Sequence, residues 1–187
     1  MPLILKRFLM ALGLLVLTPP LGLVGFYLWV HHAGNFHEVV KHEIYRSGQL
    51  NAMELTQRTQ EVGLKSILNL RGENADASWY REEMETSQSL GIQHLDFTLS
   101  ASTPVTPEQL QTILKMIEGA PKPLLIHCTD GADRSGLVSA VYLLKVGQTQ
   151  PQALEQLSWH FGHFPYLLWT FSKAMDESLK TYLEQQH

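Results

Sequence analysis

The sequence predicts an α/β fold: a central, parallel-rich sheet flanked by helices, preceded by an N-terminal membrane helix. Two observations carry this reading. From Ile44 onward, short apolar runs alternate with longer runs whose apolar residues recur at helical spacing. Strands joined by crossover helices give a sheet that is covered on both faces. The second observation is the segment 8–30, which follows Lys6 and Arg7 and carries no charge. It exceeds the roughly 20 residues that a helix needs to span a bilayer.

The elements follow in order. Residues 1–30 read as a signal anchor or transmembrane segment, 31–43 as a tether and 44–187 as the folded domain. Pro19 and Pro20 would kink the span, which membrane helices tolerate. The competing reading, a cleaved signal peptide, needs small residues before its cleavage site, and His31-His32-Ala33 supplies no small-x-small pattern. Ile44-Tyr45-Arg46 is a short strand and Ser47-Gly48-Gln49 a turn. Asn51 with Glu54 is an N-cap signature that opens a helix to about Val62, stopped by Gly63. Ser66 to Leu70 is a strand, Arg71-Gly72-Glu73 a loop, and a helix runs from about Asp76 to Leu90 before Gly91. Ile92 to Leu99 is a strand. Thr106-Pro107-Glu108-Gln109 combines an N-cap, a first-turn proline and a reciprocal Gln, and its helix ends near Gly119. Strand 124–127 leads into a loop, and helices fill 135–146, about 151–159 and about 166–185.

The loop after strand 124–127 is the most informative stretch. It reads His127-Cys128-Thr129-Asp130-Gly131-Ala132-Asp133-Arg134-Ser135-Gly136. A cysteine ends a strand, small residues follow, and a helix begins near Ser135. The N–H groups of Thr129, Asp130, Gly131, Ala132, Asp133 and Arg134, with the positive end of the helix, can surround an anion. Arg134 can add a bidentate contact to two phosphate oxygens. The same field favours the thiolate of Cys128, a nucleophile, and Ser135 can donate to it and later help it leave.

This run resembles the Cys-x5-Arg signature of the protein tyrosine and dual-specificity phosphatase superfamily. Tyr45-Arg46-Ser47-Gly48-Gln49 and Ile67-Leu68-Asn69-Leu70-Arg71-Gly72-Glu73 resemble two upstream blocks of bacterial and fungal members, so that the likeness spans residues 44 to 147. The chain is especially similar to small periplasmic tyrosine phosphatases of Gram-negative bacteria. The resemblance implies a cysteine-dependent phosphatase fold and hydrolysis of phosphate monoesters through a phosphocysteine. It implies a phosphorylated protein or phospholipid as substrate and no cofactor. Arg46 and Arg71 are expected to be structural, pairing with loop carbonyls or carboxylates.

The family places a general acid, an Asp, on the loop after the strand that corresponds to Ile92–Leu99. Here that loop, Ser100 to Val105, has no carboxylate. Two residues could substitute. Asp96 lies inside the preceding strand. Asp133 lies in the Cys128 loop, where Cys-x-Asp-Gly-x-Asp-Arg resembles the myotubularin lipid phosphatases, in which a loop Asp is implicated as the acid. Asp130 and Asp133, with no lysine beside them, disfavour highly phosphorylated inositols by charge repulsion.

Composition narrows the rest. Beyond residue 30, 12 Lys and Arg stand against 18 Asp and Glu, a charge of −6, and no basic patch points to nucleic acid. Cys128 is the lone cysteine, which suits an oxidising compartment as well as a reducing one. Lys6 and Arg7 would stay cytoplasmic, which puts the folded domain in the periplasm of a two-membrane bacterium, anchored in the inner membrane, or released into the periplasm if the segment is cleaved. His160 and His163 lack a carboxylate or cysteine partner at metal spacing, so no metal is expected. His127 is expected to fix the Cys128 loop by hydrogen bonding. Trp159, Phe161, Phe164, Tyr166, Trp169 and Phe171 read mostly as core beneath the last helix. The alternatives to an enzyme of this type are a phosphate-binding module without activity and a sulfur-transfer or arsenate-reducing enzyme. Intact Cys128, Arg134 and Ser135 argue against the first, Arg134-Ser135-Gly136 favours phosphate ester chemistry over sulfur transfer, and arsenate reduction would need further thiols.

Overall fold

The computed structural model describes residues 32–166 and 172–185, with residues 6, 7, 17, 18, 21, 22, 24–26 and 28 of the N-terminal segment. The expected membrane helix over residues 8–30 lies mostly outside these. Among the described residues no helix is long and apolar enough to cross a membrane.

Five strands form one sheet: β1 His37–Val40, β2 Ile44–Ser47, β3 Ser66–Asn69, β4 Gln93–Asp96 and β5 Leu124–His127. Their order is β1-β2-β5-β3-β4. Strands β2 to β5 run parallel, and β1 is antiparallel to β2 at the edge. The helices are α1 Ala52–Val62, α2 Ser78–Leu90, α3 Pro107–Gly119, α4 Arg134–Lys145, α5 Gln150–Glu155 and α6 Lys173–Glu184. The sheet is therefore mixed and flanked by helices, as an α/β fold requires.

Strand periodicity divides the core. Ile44, Leu68, Leu124 and Ile126 face α3, α4 and α6, packing with Leu110, Ile113, Leu137, Val141, Met175 and Leu179. Tyr45, Ile67 and Leu125 face the other way, packing with Leu55, Leu64 and Ile92. The N-terminal signatures hold: Asn51 and Thr106 each form a reciprocal capping box, with Glu54 and Gln109. Gly63 and Gly91 end their helices in the left-handed conformation that glycine adopts at least cost.

Three local expectations are corrected. Residues 37–40, read as tether, form edge strand β1 because the Glu38–Tyr45 and Val40–Ile44 pairings give their backbone partners. The strand expected to reach Leu99 stops at Asp96, and residues 97–106 form a loop. The helix expected over 151–159 ends at Glu155, and a 3₁₀ turn follows at Trp159–Phe161. That turn sends Phe161 inward but leaves Trp159 63% exposed, and Tyr166 is 84% exposed, so the aromatic stretch is only partly core. Trp169 and Phe171 lie outside the described residues.

Strand β5 is inserted between β2 and β3, which puts the loop after it at the carboxyl edge of the sheet, where open α/β sheets bind ligands. Ile126, fully buried at the middle of this arrangement, fixes the end of β5. Ile126→Ala should lower the unfolding free energy by about 2–5 kcal/mol, measured by urea denaturation, through lost burial and a residual cavity.

Candidate active site

The loop from Cys128 to Arg134 is held from outside by its own carbonyl groups. The carbonyl of Thr129 accepts from the Gln49 N–H at 2.9 Å. That of Asp130 accepts from Asn35 Nδ2 at 3.0 Å. Those of Gly131 and Ala132 accept from Arg46 Nη2 at 2.6 and 3.1 Å. In a planar trans peptide the carbonyl and the following N–H point to opposite sides. Four successive carbonyls pinned outward thus turn the N–H groups of residues 130–133 toward the inside of the loop, a concave cluster of donors suited to an anion. Gly131 has φ +74°, and a side chain there would run into the backbone of Ser47 and Gly48. Gly136 sits equally close to the Gln156 carbonyl.

Arg46 is the centre of this brace. It is fully buried, donates through Nη1 to the Gln156 carbonyl and Oε1 at 2.7 and 2.9 Å, and lies 4.3 Å from the centroid of the Phe161 ring. Burial pushes its guanidinium down to about 10, against the Cys128 and Asp133 charges, which raise it. Its expected structural role, pairing with loop carbonyls, is what the geometry displays. Arg71 differs: it donates to Gln49 Oε1 at 2.8 Å and stacks 3.4 Å from the Trp79 ring centroid, without a carboxylate or loop carbonyl.

Within the loop, Cys128 is buried and its Sγ lies 3.5 Å from Ser135 Oγ. Arg134 opens α4. It donates to the Leu99 carbonyl at 3.2 Å and to Thr129 Oγ1 at 2.8 Å, while its buried Nε has no partner. A buried guanidinium donor without an acceptor is costly, and an anion in the loop would supply one. Beneath the loop His127 contacts the Cys128 carbonyl at 3.3 Å through Nδ1 and Glu83 Oε1 at 3.1 Å through Nε2. Glu83 also takes His94 Nε2 at 2.8 Å and Gln49 Nε2 at 2.5 Å. Burial alone would raise the Glu83 carboxyl, but His127 and His94 together hold it well below the usual carboxylate range.

The two acid candidates are placed very differently. Asp96 ends β4, two strands from β5, so it stands about 10 Å from His127. Both its oxygens are engaged, Oδ1 by Asn69 Nδ2 at 2.8 Å and Oδ2 by the Tyr80 hydroxyl at 2.7 Å. Asp133 is in the loop itself, and its Oδ1 lies 2.6 Å from Nδ1 of His163. His163, which has no carboxylate at metal spacing in the sequence, thus meets two hydrogen-bonding carboxylates in the fold, Asp133 and, at 3.1 Å from Nε2, Asp176 of α6. The fold joins residues that are distant in the chain. Asn35, Glu83, Gln156, His163 and Asp176 were all missed by sequence reasoning, since none lies in a recognisable motif.

A strand-ended cysteine, an anion-shaped loop and a helix-opening arginine define a cysteine-dependent phosphatase fold of the dual-specificity type. The family model for the Swiss Army Knife protein DSP-PTPase phosphatase domain, PTP-SAK, matches residues 34–175, and the chain belongs to that family. No curated protein matches the chain. Among solved structures it is similar to TpbA from P. aeruginosa, with 20% identity over 80% of this chain and 85% of that one, at a TM-score of 0.62. A TpbA variant in complex with pTyr is also similar, at 20% identity, 75% and 80% coverage and a TM-score of 0.58. So is the core catalytic domain of the PP-IP phosphatase SIW14 from S. cerevisiae, at 22% identity, 81% and 92% coverage and a TM-score of 0.61. These structural likenesses show the fold.

Two outcomes test the scaffold. Arg46→Met strands the Gly131, Ala132 and Gln156 carbonyls without their donor, and should cost on the order of 3 kcal/mol in urea denaturation. For Glu83, folding lowers the carboxyl's proton affinity, so its stabilising contribution is complete above the ordinary glutamate range of about 4.3 and drains away as pH falls below it. The stability gap between wild type and Glu83→Gln, followed by thermal melts, should therefore be widest above about pH 5 and shrink in acid.

Proposed function

We propose that this protein hydrolyses phosphate monoesters through a phosphocysteine, as a protein tyrosine or dual-specificity phosphatase. The observation that carries the reading is the pairing of buried Cys128, 3.5 Å from Ser135, with a loop whose carbonyls are pinned outward and whose Arg134 retains an unpartnered buried Nε. Cys128 attacks phosphorus in line as the thiolate. The N–H groups from Thr129 to Arg134 and the Arg134 guanidinium hold the equatorial oxygens as charge develops on them. Asp133 protonates the leaving oxygen, and Asp96, committed to Asn69 and Tyr80, serves the sheet edge instead. Water then releases phosphate from sulfur, with Ser135 stabilising the departing thiolate. This chemistry calls on no metal or cofactor.

A singly phosphorylated protein side chain fits best. TpbA, which shares the fold, binds pTyr in the form noted above, and Asp130 and Asp133 give the loop a negative rim that disfavours heavily phosphorylated ligands. The fold also houses a PP-IP phosphatase, and the second reading, a phospholipid substrate, rests on the uncharged segment 8–30, which would hold the site near a lipid surface. On that reading residues 1–30 anchor the chain in a bacterial inner membrane, and the domain beyond lies in the periplasm.

Cys128→Ser should abolish hydrolysis of p-nitrophenyl phosphate yet still bind phosphate, while Arg134→Ala should lose both, with a rate loss on the order of 10²–10³-fold or more. Turnover by Cys128→Ser at the wild-type rate sinks the mechanism. Kinetics against phosphotyrosine peptides and phospholipid vesicles then separate the two substrates. For the anchor, a reporter active only outside the cytoplasm, fused after His187, should be active, and the full-length chain should resist carbonate extraction from membranes. Release by carbonate would favour cleavage, and activity of a cytoplasm-only reporter would overturn the topology.

A further inference from the structure

Asp133, His163 and Asp176 form a line through the protein. Asp176 on α6 is 38% exposed at its side chain, His163 is 1% exposed and Asp133 in the loop is 25% exposed. The imidazole therefore sits buried between two carboxylates, one open to solvent and one in the loop that holds Cys128. Its Nδ1 is 2.6 Å from Asp133 Oδ1 and its Nε2 is 3.1 Å from Asp176 Oδ2. Nothing in the binding of phosphate requires this arrangement. A loop that only had to be rigid would be served by a neutral donor, without a buried ionisable ring.

We propose that His163 stores the proton that Asp133 gives to the leaving group, and that Asp176 holds His163 ready for this. The proposal rests on the phosphatase reading above. It answers a difficulty in that reading, because an ordinary Asp is already ionised at neutral pH and has no proton to donate. The imidazolium carries the proton on Nδ1. The Nδ1–H bond breaks, the proton passes to Asp133 Oδ1, and the carboxyl hydroxyl turns to the leaving oxygen. As the Cys128 S–P bond forms, the P–O bond breaks, its electron pair stays on the leaving oxygen, and that oxygen takes the proton. His163 is left neutral, with Nε2–H donated to Asp176. In the second half-reaction water attacks phosphorus, the S–P bond breaks with its electrons on sulfur, and the water's proton returns through Asp133 to Nδ1. His163 never meets the substrate, so it is a positioning residue that acts through Asp133.

The charges around the ring agree. Burial would lower its proton affinity, but the hydrogen bonds and charges of Asp133, from the loop, and Asp176, from α6, raise it above the ordinary histidine value. The Arg46 charge, from β2, is paired with that of Asp133.

The test compares wild type, His163→Gln and Asp176→Asn on two esters, phenyl phosphate and p-nitrophenyl phosphate, across pH. The leaving group of the second needs little protonation. With phenyl phosphate, His163→Gln should lower kcat at neutral pH by about tenfold or more, and its high-pH limb should move to lower pH. With p-nitrophenyl phosphate kcat should be nearly unchanged. Asp176→Asn, altered at the solvent end of the line, should move the same limb by less and in the same direction. Nitrogen NMR of the full chain should find the His163 ring still protonated above the ordinary histidine range, and Asp133→Asn should bring its titration down. Equal losses on both esters with an unmoved limb, or a ring that is neutral throughout, would overturn the relay while Cys128→Ser still reports a working phosphatase. If Cys128→Ser keeps its turnover, the phosphatase reading fails first and the relay falls with it.

Discussion

One buried cation organises this protein. Arg46 enters from β2, has no exposure to solvent, and spends both terminal nitrogens on carbonyls and a side-chain amide: Gly131 and Ala132 of the loop, and Gln156 beyond α5. A guanidinium taken out of water must be repaid by good geometry, and here its fork supplies it. The carbonyls that it draws outward are what turn the loop amides inward. Just beyond α5, Gln156 offers the same residue both its carbonyl and its side-chain oxygen, and Phe161 gains a charged face to pack against. The shape of the anion site is thus a consequence of where one charge is buried, more than of the loop's own sequence.

A second buried network lies on the other side of β5. Glu83 on α2 gathers His127, His94 and Gln49, and Gln49 in turn orients Arg71. The loop is therefore clamped between a positive brace and a negative hub. Each compensates a charge that would be expensive alone, and each reaches the loop through residues adjacent to Cys128 or to the Ser47–Gln49 turn. The Cys128–Arg134 loop accordingly takes many of its hydrogen bonds from elements distant in the chain.

What the sequence makes legible follows from the range over which its signals act. The loop, its strand and its helix are local, and so were read from residues 124–146. The capping boxes at Asn51 and Thr106 are local too. Arg46 was legible as a loop brace because its block, Tyr45 to Gln49, resembles one found upstream of the Cys-x5-Arg loop in the phosphatase superfamily. Strand β1 was not, because four residues of mixed polarity at a sheet edge carry almost no periodicity, and their pairing with β2 decides the matter. Nor was the Asp133–His163–Asp176 line, whose members lie 30 and 13 residues apart and meet only because α6 packs against α4. A histidine with no neighbouring ligand in the sequence looks idle until the fold supplies one.

Asn35 fastens the loop from the other end of the chain. Its side chain donates to the carbonyls of Asp130 and Phe161, and the carbonyl of Gly34 before it receives the N–H of Gly48. Residues that the hydropathy pattern assigns to a connecting strap are thus structural members of the anion cradle. The smallest piece of this protein able to keep its phosphate cradle in shape must then begin ahead of Gly34. Any trimming that starts at Ile44, where the regular alternation of strand and helix sets in, would remove the edge strand and unfasten the far side of the cradle in a single cut.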